Sequence, residues 1–184
     1  MFELPLAARR RIAIALFIGV IAISAACGNS FAGDSGTCAA PAFRQFDFWI
    51  GDWDAIEADG STSARVQVTS ILDGCVLLEN YEGVNGANGK SFTIFDAREK
   101  TWHQTWVTNR GRRLELDGTL EQGAITLRGA DRTLTCARRL VSGTWRPVAG
   151  GVRETAITSI DGGKSWQPWF DILFRPHWQA EIQH

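Results

Sequence analysis

The sequence predicts an all-β chain: an antiparallel up-and-down β-barrel of eight to ten strands, preceded by a cleaved signal peptide. Three observations predict it. From Phe46 onward, short runs rich in Val, Ile, Thr, Phe and Trp recur at roughly the 8–12-residue spacing of antiparallel β domains. Turn-forming pairs separate them: Asp73-Gly74, Asn85-Gly86, Asn88-Gly89, Gln122-Gly123, Gly150-Gly151 and Gly162-Gly163. No stretch between Ala55 and Arg175 repeats its apolar residues at a helical period.

Taken in order, the expected strands are Phe46 to Glu57, Ala64 to Leu72, Cys75 to Glu82, Ser91 to Asp96, Thr101 to Thr108 and Arg112 to Leu120. Ala124 to Arg128, Thr133 to Arg138, Leu140 to Val148, Gly151 to Ile160 and Trp166 to Arg175 complete the set. One helical turn is expected, near Pro41 to Phe46. A barrel is favoured over a sandwich for two reasons. The connections are too short for a Greek-key return, and closure removes the exposed edges that so many β-prone segments would present.

The N-terminus has the layout of a secretory signal. Arg9, Arg10 and Arg11 precede a 15-residue apolar run, Ile12 to Ala26, and then a short polar stretch. That run is shorter than the roughly 20 residues of a spanning helix. Cleavage after Ala32 would give a soluble mature chain. Ser24-Ala25-Ala26-Cys27 resembles a lipobox, although Ser24 stands where an aliphatic residue is usual; an acylated Cys27 would tether the protein to a membrane.

The expected organisation is therefore a signal peptide over 1–32, a leader over 33–45, the barrel over 46–176 and a tail over 177–184. Removing 32 of 184 residues leaves one ordinary domain. It also removes three of the 19 basic and one of the 20 acidic residues, which leaves 16 against 19, a formal charge of −3. Without a basic excess, nucleic acid is not an expected partner.

Cys38, Cys75 and Cys136 remain. In an oxidising compartment, a Cys38–Cys75 bridge would pin the leader to the barrel. The alternative is that Cys75 and Cys136 are small buried hydrophobes.

The segment Phe46-Asp47-Phe48-Trp49-Ile50-Gly51-Asp52-Trp53-Asp54 is the most distinctive. A Gly-x-Trp at the head of the first strand resembles the lipocalin and calycin superfamily, where the Trp plugs the closed end of the barrel. Three further segments follow in order: Asp73 to Asn80, Trp102-His103-Gln104-Thr105-Trp106, and Asp161-Gly162-Gly163-Lys164-Ser165-Trp166. Together they resemble an uncharacterised family of bacterial exported proteins with a lipocalin-like barrel, over about residues 42 to 175. That resemblance implies a fold and leaves function to the site.

Thr101 to Thr108 is the strand with the most unusual chemistry. Its alternation puts Trp102, Gln104 and Trp106 on one face and Thr101, His103 and Thr105 on the other. Either face would give the lumen groups that a merely packed barrel would not use. Glu79, within Val76 to Tyr81, shares a face with Cys75, Leu77 and Tyr81; if that face is inner, it needs a partner, and Arg153 and Arg175 in the late strands are the candidates. Ser159 to Trp166 matches an Asp-box, read as a hairpin device.

No nucleophile elbow, P-loop, His-Glu-x-x-His or Cys-x-x-Cys occurs. The histidines are His103, His177 and His184, so neither a metal nor any other cofactor is expected. Haem, bound by some relatives of the superfamily, has no support in the spacing.

Three functions follow. The first is an exported protein, periplasmic or secreted, that binds a small apolar or amphipathic ligand through Glu79, Trp102, His103, Gln104, Trp106, Arg153 and Arg175. The second is an envelope interaction module with a filled lumen. The third is a lipocalin-like isomerase, hydratase or lyase that uses Glu79 or His103 as acid–base and Arg153 as anion stabiliser.

Overall fold

The computed structural model describes residues 37–178. The expected signal peptide and Cys27 lie outside them. Three single-turn 3-10 helices, Thr37–Ala39, Pro41–Arg44 and Asp47–Trp49, lead into ten strands. These are β1 (Gly51–Ile56), β2 (Thr62–Ile71), β3 (Val76–Gly83), β4 (Asn88–Asp96) and β5 (Thr101–Thr108), followed by β6 (Arg113–Glu121), β7 (Ala124–Arg132), β8 (Arg138–Val148), β9 (Gly151–Ser159) and β10 (Gln167–Pro176). Each strand pairs antiparallel with its sequence neighbour, and β10 returns to pair with β1, from Trp53 opposite Pro176 to Ile56 opposite Leu173. The result is the closed up-and-down barrel that the turn spacing predicts.

Side-chain alternation makes the wall two-faced. On β2, Ala64, Val66 and Val68 are buried while Arg65 and Gln67 are exposed. On β4, Gly89, Ser91, Thr93 and Phe95 face inward between exposed Lys90, Phe92 and Ile94. The outer face carries ion pairs such as Arg65 to Asp52 and Arg128 to Glu121.

One end of the barrel is filled by aromatics. Phe46 and Trp49 are essentially fully buried. Phe46 meets Trp102 and Trp145 edge-on at 5.6 and 5.7 Å, and Trp49 meets Phe174 at 4.4 Å. Trp53 stacks on Trp49, and its indole N–H donates to the Trp49 carbonyl at 3.1 Å. Trp102 donates to Gln45 Oε1 at 3.2 Å. Gly51 is required here: a Cβ would sit 2.4 Å from the Trp53 ring, so the Gly-x-Trp pair is one packing unit. This is the plug that the lipocalin resemblance implies.

Two expected strand segments differ. Phe46 to Trp49 forms a 3-10 turn, with Trp49 N–H donating to Phe46 O and Ile50 N–H to Asp47 O, because its aromatics must turn under the barrel before β1 starts. Thr133 to Arg138 is mostly the β7–β8 loop. Thr133 N–H donates to Ala137 O and its hydroxyl accepts from Ala137 N–H, while Cys136 takes a left-handed conformation. Local side-chain bonds override the β preference of the threonines. The eleven expected strands are therefore ten.

Cys38 and Cys75 are disulfide-bonded, and Cys136 is free and exposed in that loop. The bridge ties the plug segment to the β2–β3 turn, where the Arg44 guanidinium also donates to the Gly74 carbonyl. No helix among the described residues is long and apolar enough to cross a membrane.

The bridge closes a separation of 37 residues. Replacing both cysteines with serine should cost about 3–4 kcal/mol of unfolding free energy. Urea titration of the oxidised parent against the variant checks this; an unchanged midpoint would mean the aromatic plug holds the leader unaided.

Candidate functional site

Ten strands enclose more space than side chains fill. Above the aromatic floor lies a cavity of about 470 Å³. Its walls include Tyr81, Trp106, Leu116, Val141, Trp145, Phe170 and Ile172. Its polar inner groups are Glu79, Gln104 and Glu154. Chain direction puts the mouth at the end opposite the plug, among the β1–β2, β3–β4, β5–β6, β7–β8 and β9–β10 loops, and Asn109, Arg110 and Arg112 line it there.

The strand pairing accounts for each inner group. Glu79 on β3 sits opposite Val68 of β2 and Ser91 of β4, and Ser91 sits opposite Trp106 of β5. These four form one layer. Trp106 lies flat over Gly89, whose Cβ would come within 2.3 Å of its ring, and meets Tyr81 edge-on at 5.8 Å. A glycine on β4 thus makes room for the indole. Gln104, one pair deeper, donates to Thr93 Oγ1 at 3.1 Å.

Glu79 is 8% exposed, and its Oε2 accepts from Ser91 Oγ at 2.7 Å. Burial raises its pKa from the ordinary 4.5 to about 7, against the smaller opposing effect of that hydrogen bond. Glu154 on β9 faces the same lumen, opposite Trp145 and Ile172. Burial, and then the charge of Glu79, push its pKa well up, opposed by a hydrogen bond from the Trp145 indole. β3 and β9 lie on opposite walls, separated in the ring by β2, β1 and β10. The Tyr81 phenol is pushed up too, chiefly by burial and then by Glu57, Glu154 and Glu79.

At the mouth, Asp131 binds two arginines: Arg112 Nη2 at 2.6 Å and the Arg139 fork at 2.8 and 2.6 Å. Burial pushes the Asp131 pKa up, but the arginines outweigh it and hold the carboxyl below its usual range. Trp169 covers Arg139, with 4.2 Å from guanidinium to ring.

The expected site residues divide between the two faces of the wall. Glu79, Gln104 and Trp106 share the lumen. Trp102 is also inward but 2% exposed in the floor beneath the cavity. His103 is on the outer face, its Nδ1 2.5 Å from Asp117 Oδ1 and its Nε2 3.5 Å from Glu99, so its ring is engaged by surface carboxylates and not by the lumen. Arg153 is outside, forked onto Asp171. Arg175 is outside, donating to the Ala149 carbonyl at 2.7 Å. The expected Glu79–arginine pair does not form, because both arginines sit at odd positions of strands whose even positions point inward: Val152, Glu154 and Ala156 on β9, Ile172 and Phe174 on β10. Arg153 and His103 cannot reach a lumen ligand, which removes the acid–base and anion-stabilising roles assigned to them.

Glu154 is the residue that sequence reasoning missed. The signal was present: apolar Val152 and Ala156 flank it at period two, which marks its face as inner. The Asp-box behaves as a hairpin device. Asp161 accepts from the backbone of Lys164 and Ser165 and from the hydroxyls of Ser159 and Ser165, which hold its pKa far below the usual range. Trp166, at the end of the motif, is 38% exposed.

Among the described residues, no group of three or more His, Cys, Asp or Glu gathers as a metal site. Comparison with known proteins finds no matching family model and no significantly similar curated sequence. The closed barrel is consistent with a lipocalin-like fold, and the candidate site rests on its geometry alone.

Because the Glu79 pKa in the folded protein lies above its unfolded value, the folded state keeps a proton that the unfolded chain releases. Its contribution to stability is complete below about pH 4.5 and is lost as pH rises to about 7. Glu79→Gln should therefore match the parent near pH 4 and exceed it by roughly 3 kcal/mol at pH 8. Urea unfolding at the two pH values measures the difference; equal stability at pH 8 would mean Glu79 is not desolvated.

Proposed function

We propose that this is an exported, lipocalin-like protein that binds a small apolar or amphipathic molecule in the barrel lumen. One observation carries the reading. About 470 Å³ of the lumen is unfilled, walled by aromatic and aliphatic side chains with a few placed polar groups, as ligand sites are. A barrel serving only as a scaffold gains more from filling that space with aliphatic residues, since interiors otherwise pack to crystal-like density. The plug gives the cavity a floor, and the loops of the other end give it an entrance.

Export is supported by the basic, apolar and small-residue order at the N-terminus, and by the Cys38–Cys75 disulfide, which suits a non-reducing compartment. The likeness to bacterial exported proteins rests on the four motif segments. A barrel that acts through its outer surface is the weaker reading, because it leaves the open lumen and its inward polar groups without a role.

Native mass spectrometry of protein purified without denaturation from the envelope or secreted fraction is the test. An adduct of a few hundred daltons that disappears on denaturation is the expected result; a bare polypeptide that also takes up no apolar probe would overturn the reading. Trp106→Ala should weaken the neutral fluorophore N-phenyl-1-naphthylamine by about tenfold, a loss of ~1.4 kcal/mol, with near-native circular dichroism. Unchanged affinity in the folded variant would move the site away from the Trp106 wall.

A further inference from the structure

The lumen holds two carboxyl groups and, among the described residues, no lysine or arginine pairs with either. Glu79 is more than nine-tenths buried, and only its Oε2 is bonded, to Ser91; Oε1 has no hydrogen-bond partner among the described residues and Glu79 lines the cavity. Glu154 faces it from the opposite wall, with the Trp145 indole as its hydrogen-bond donor. The Gln104 amide, whose nitrogen is committed to Thr93, adds a further acceptor oxygen at the same cavity. Every charged or acceptor atom of the inner cavity is thus negative or electron-rich. Around them stand Tyr81, Trp106, Trp145 and Phe170, whose ring faces attract cations.

Unpaired buried carboxyls are costly, and a barrel shaped for a plain hydrocarbon gains nothing from two of them. The arginines of this cavity lie at its mouth. Arg112 shares Asp131 with Arg139, and Arg113 is 3.1 Å from Glu115. Arg110 is exposed, where solvent screens it.

We propose that the lumen receives an organic cation, an ammonium group borne on an apolar body, with its charge between Glu79 and Glu154 and its body against Trp106, Trp145 and Phe170. This rests on the lumen being the ligand site. One negative charge shared by the pair balances one ammonium, the cation replaces the proton that the empty site holds, and binding releases that proton to solvent. Affinity therefore rises with pH through the range in which the pair ionises.

Other groups face the pair. Tyr81 is beside Glu79 on β3, and Ser91 and Gln104 come from β4 and β5. Glu57, Arg110, Arg112, Arg113 and Asp131 lie nearer the mouth. Asp131 is held by Arg112 and Arg139, which leaves Glu57 as the remaining carboxylate, and the variants below separate its contribution.

Three probes of one length, octylammonium, octanol and octanoate, are titrated calorimetrically into the intact disulfide-bonded protein. At pH 8 octylammonium should bind about tenfold or more tightly than either of the others, and its advantage over octanol should fall to less than about threefold at pH 5. The Glu79→Gln/Glu154→Gln variant should lose that advantage at pH 8 while still binding octanol, which shows that its fold and lumen persist. The exterior variant Arg153→Gln should behave as the parent.

If octanol or octanoate binds the parent as tightly as octylammonium, the cation assignment fails and the lumen reading stands. If none of the three binds, both fail. A preference for octylammonium that survives in the double variant would place the cation at Glu57 and overturn the assignment to the pair.

Discussion

The structure depends on the closure of one barrel end by the Phe46, Trp49 and Trp53 side chains. A ten-stranded ring is too wide for its own wall residues to fill. The plug supplies the missing volume at one end only, and it does so with residues that precede or open the first strand. Because Trp49 packs on Phe174 of the last strand, the same contact helps to seal β1 against β10. The disulfide then holds the leader against the β2–β3 turn. Above the floor a cavity remains, because none of the described residues returns to occupy it.

The lumen that results is chemically uneven. Its floor is aromatic, with the two indole N–H groups of Trp53 and Trp102 satisfied by the Trp49 carbonyl and the Gln45 amide, both in the segment before β1. Its middle layer carries Glu79, Ser91, Trp106 and, across the ring, Glu154 and Trp145. Its mouth carries arginines largely neutralised by Asp131 and Glu115. The gradient runs from dry and apolar to wet and charged, with one acidic layer between. The middle layer is where water is scarce and unpaired charge costs most, so it is where a ligand can gain most by supplying the missing partner.

Much of this was legible in the sequence. Strand spacing, glycine-rich turns and the absence of helical periodicity fix an antiparallel barrel, and Gly51-Asp52-Trp53 marks its closed end. The alternation in Thr101 to Thr108 separates the Trp face from the His face but does not say which is inner. The same alternation in β9, read from Val152 and Ala156, was enough to select Glu154 over Arg153. Pairing Glu79 with Arg153 or Arg175 follows charge and ignores strand parity, and parity is the stronger constraint: a side chain one residue off points through the other side of the sheet.

By itself the sequence determined the fold class, which follows from local rules: the period of two, turn chemistry and residue size. It offered Trp53 as a plug only through the lipocalin resemblance, Cys38–Cys75 as one candidate pair, and part of the group of polar residues from which the site is drawn. Only the tertiary structure decided that the Trp face of β5 is inner, that His103, Arg153 and Arg175 are outer, that Thr133 to Arg138 is a loop, and that Glu79 and Glu154 meet across an unfilled lumen. The physical reason is that barrel closure brings β3 and β9 to face each other though they are far apart in the chain. Whether two buried carboxyls share a space or are separated by a wall depends on strand number and register summed around the whole ring.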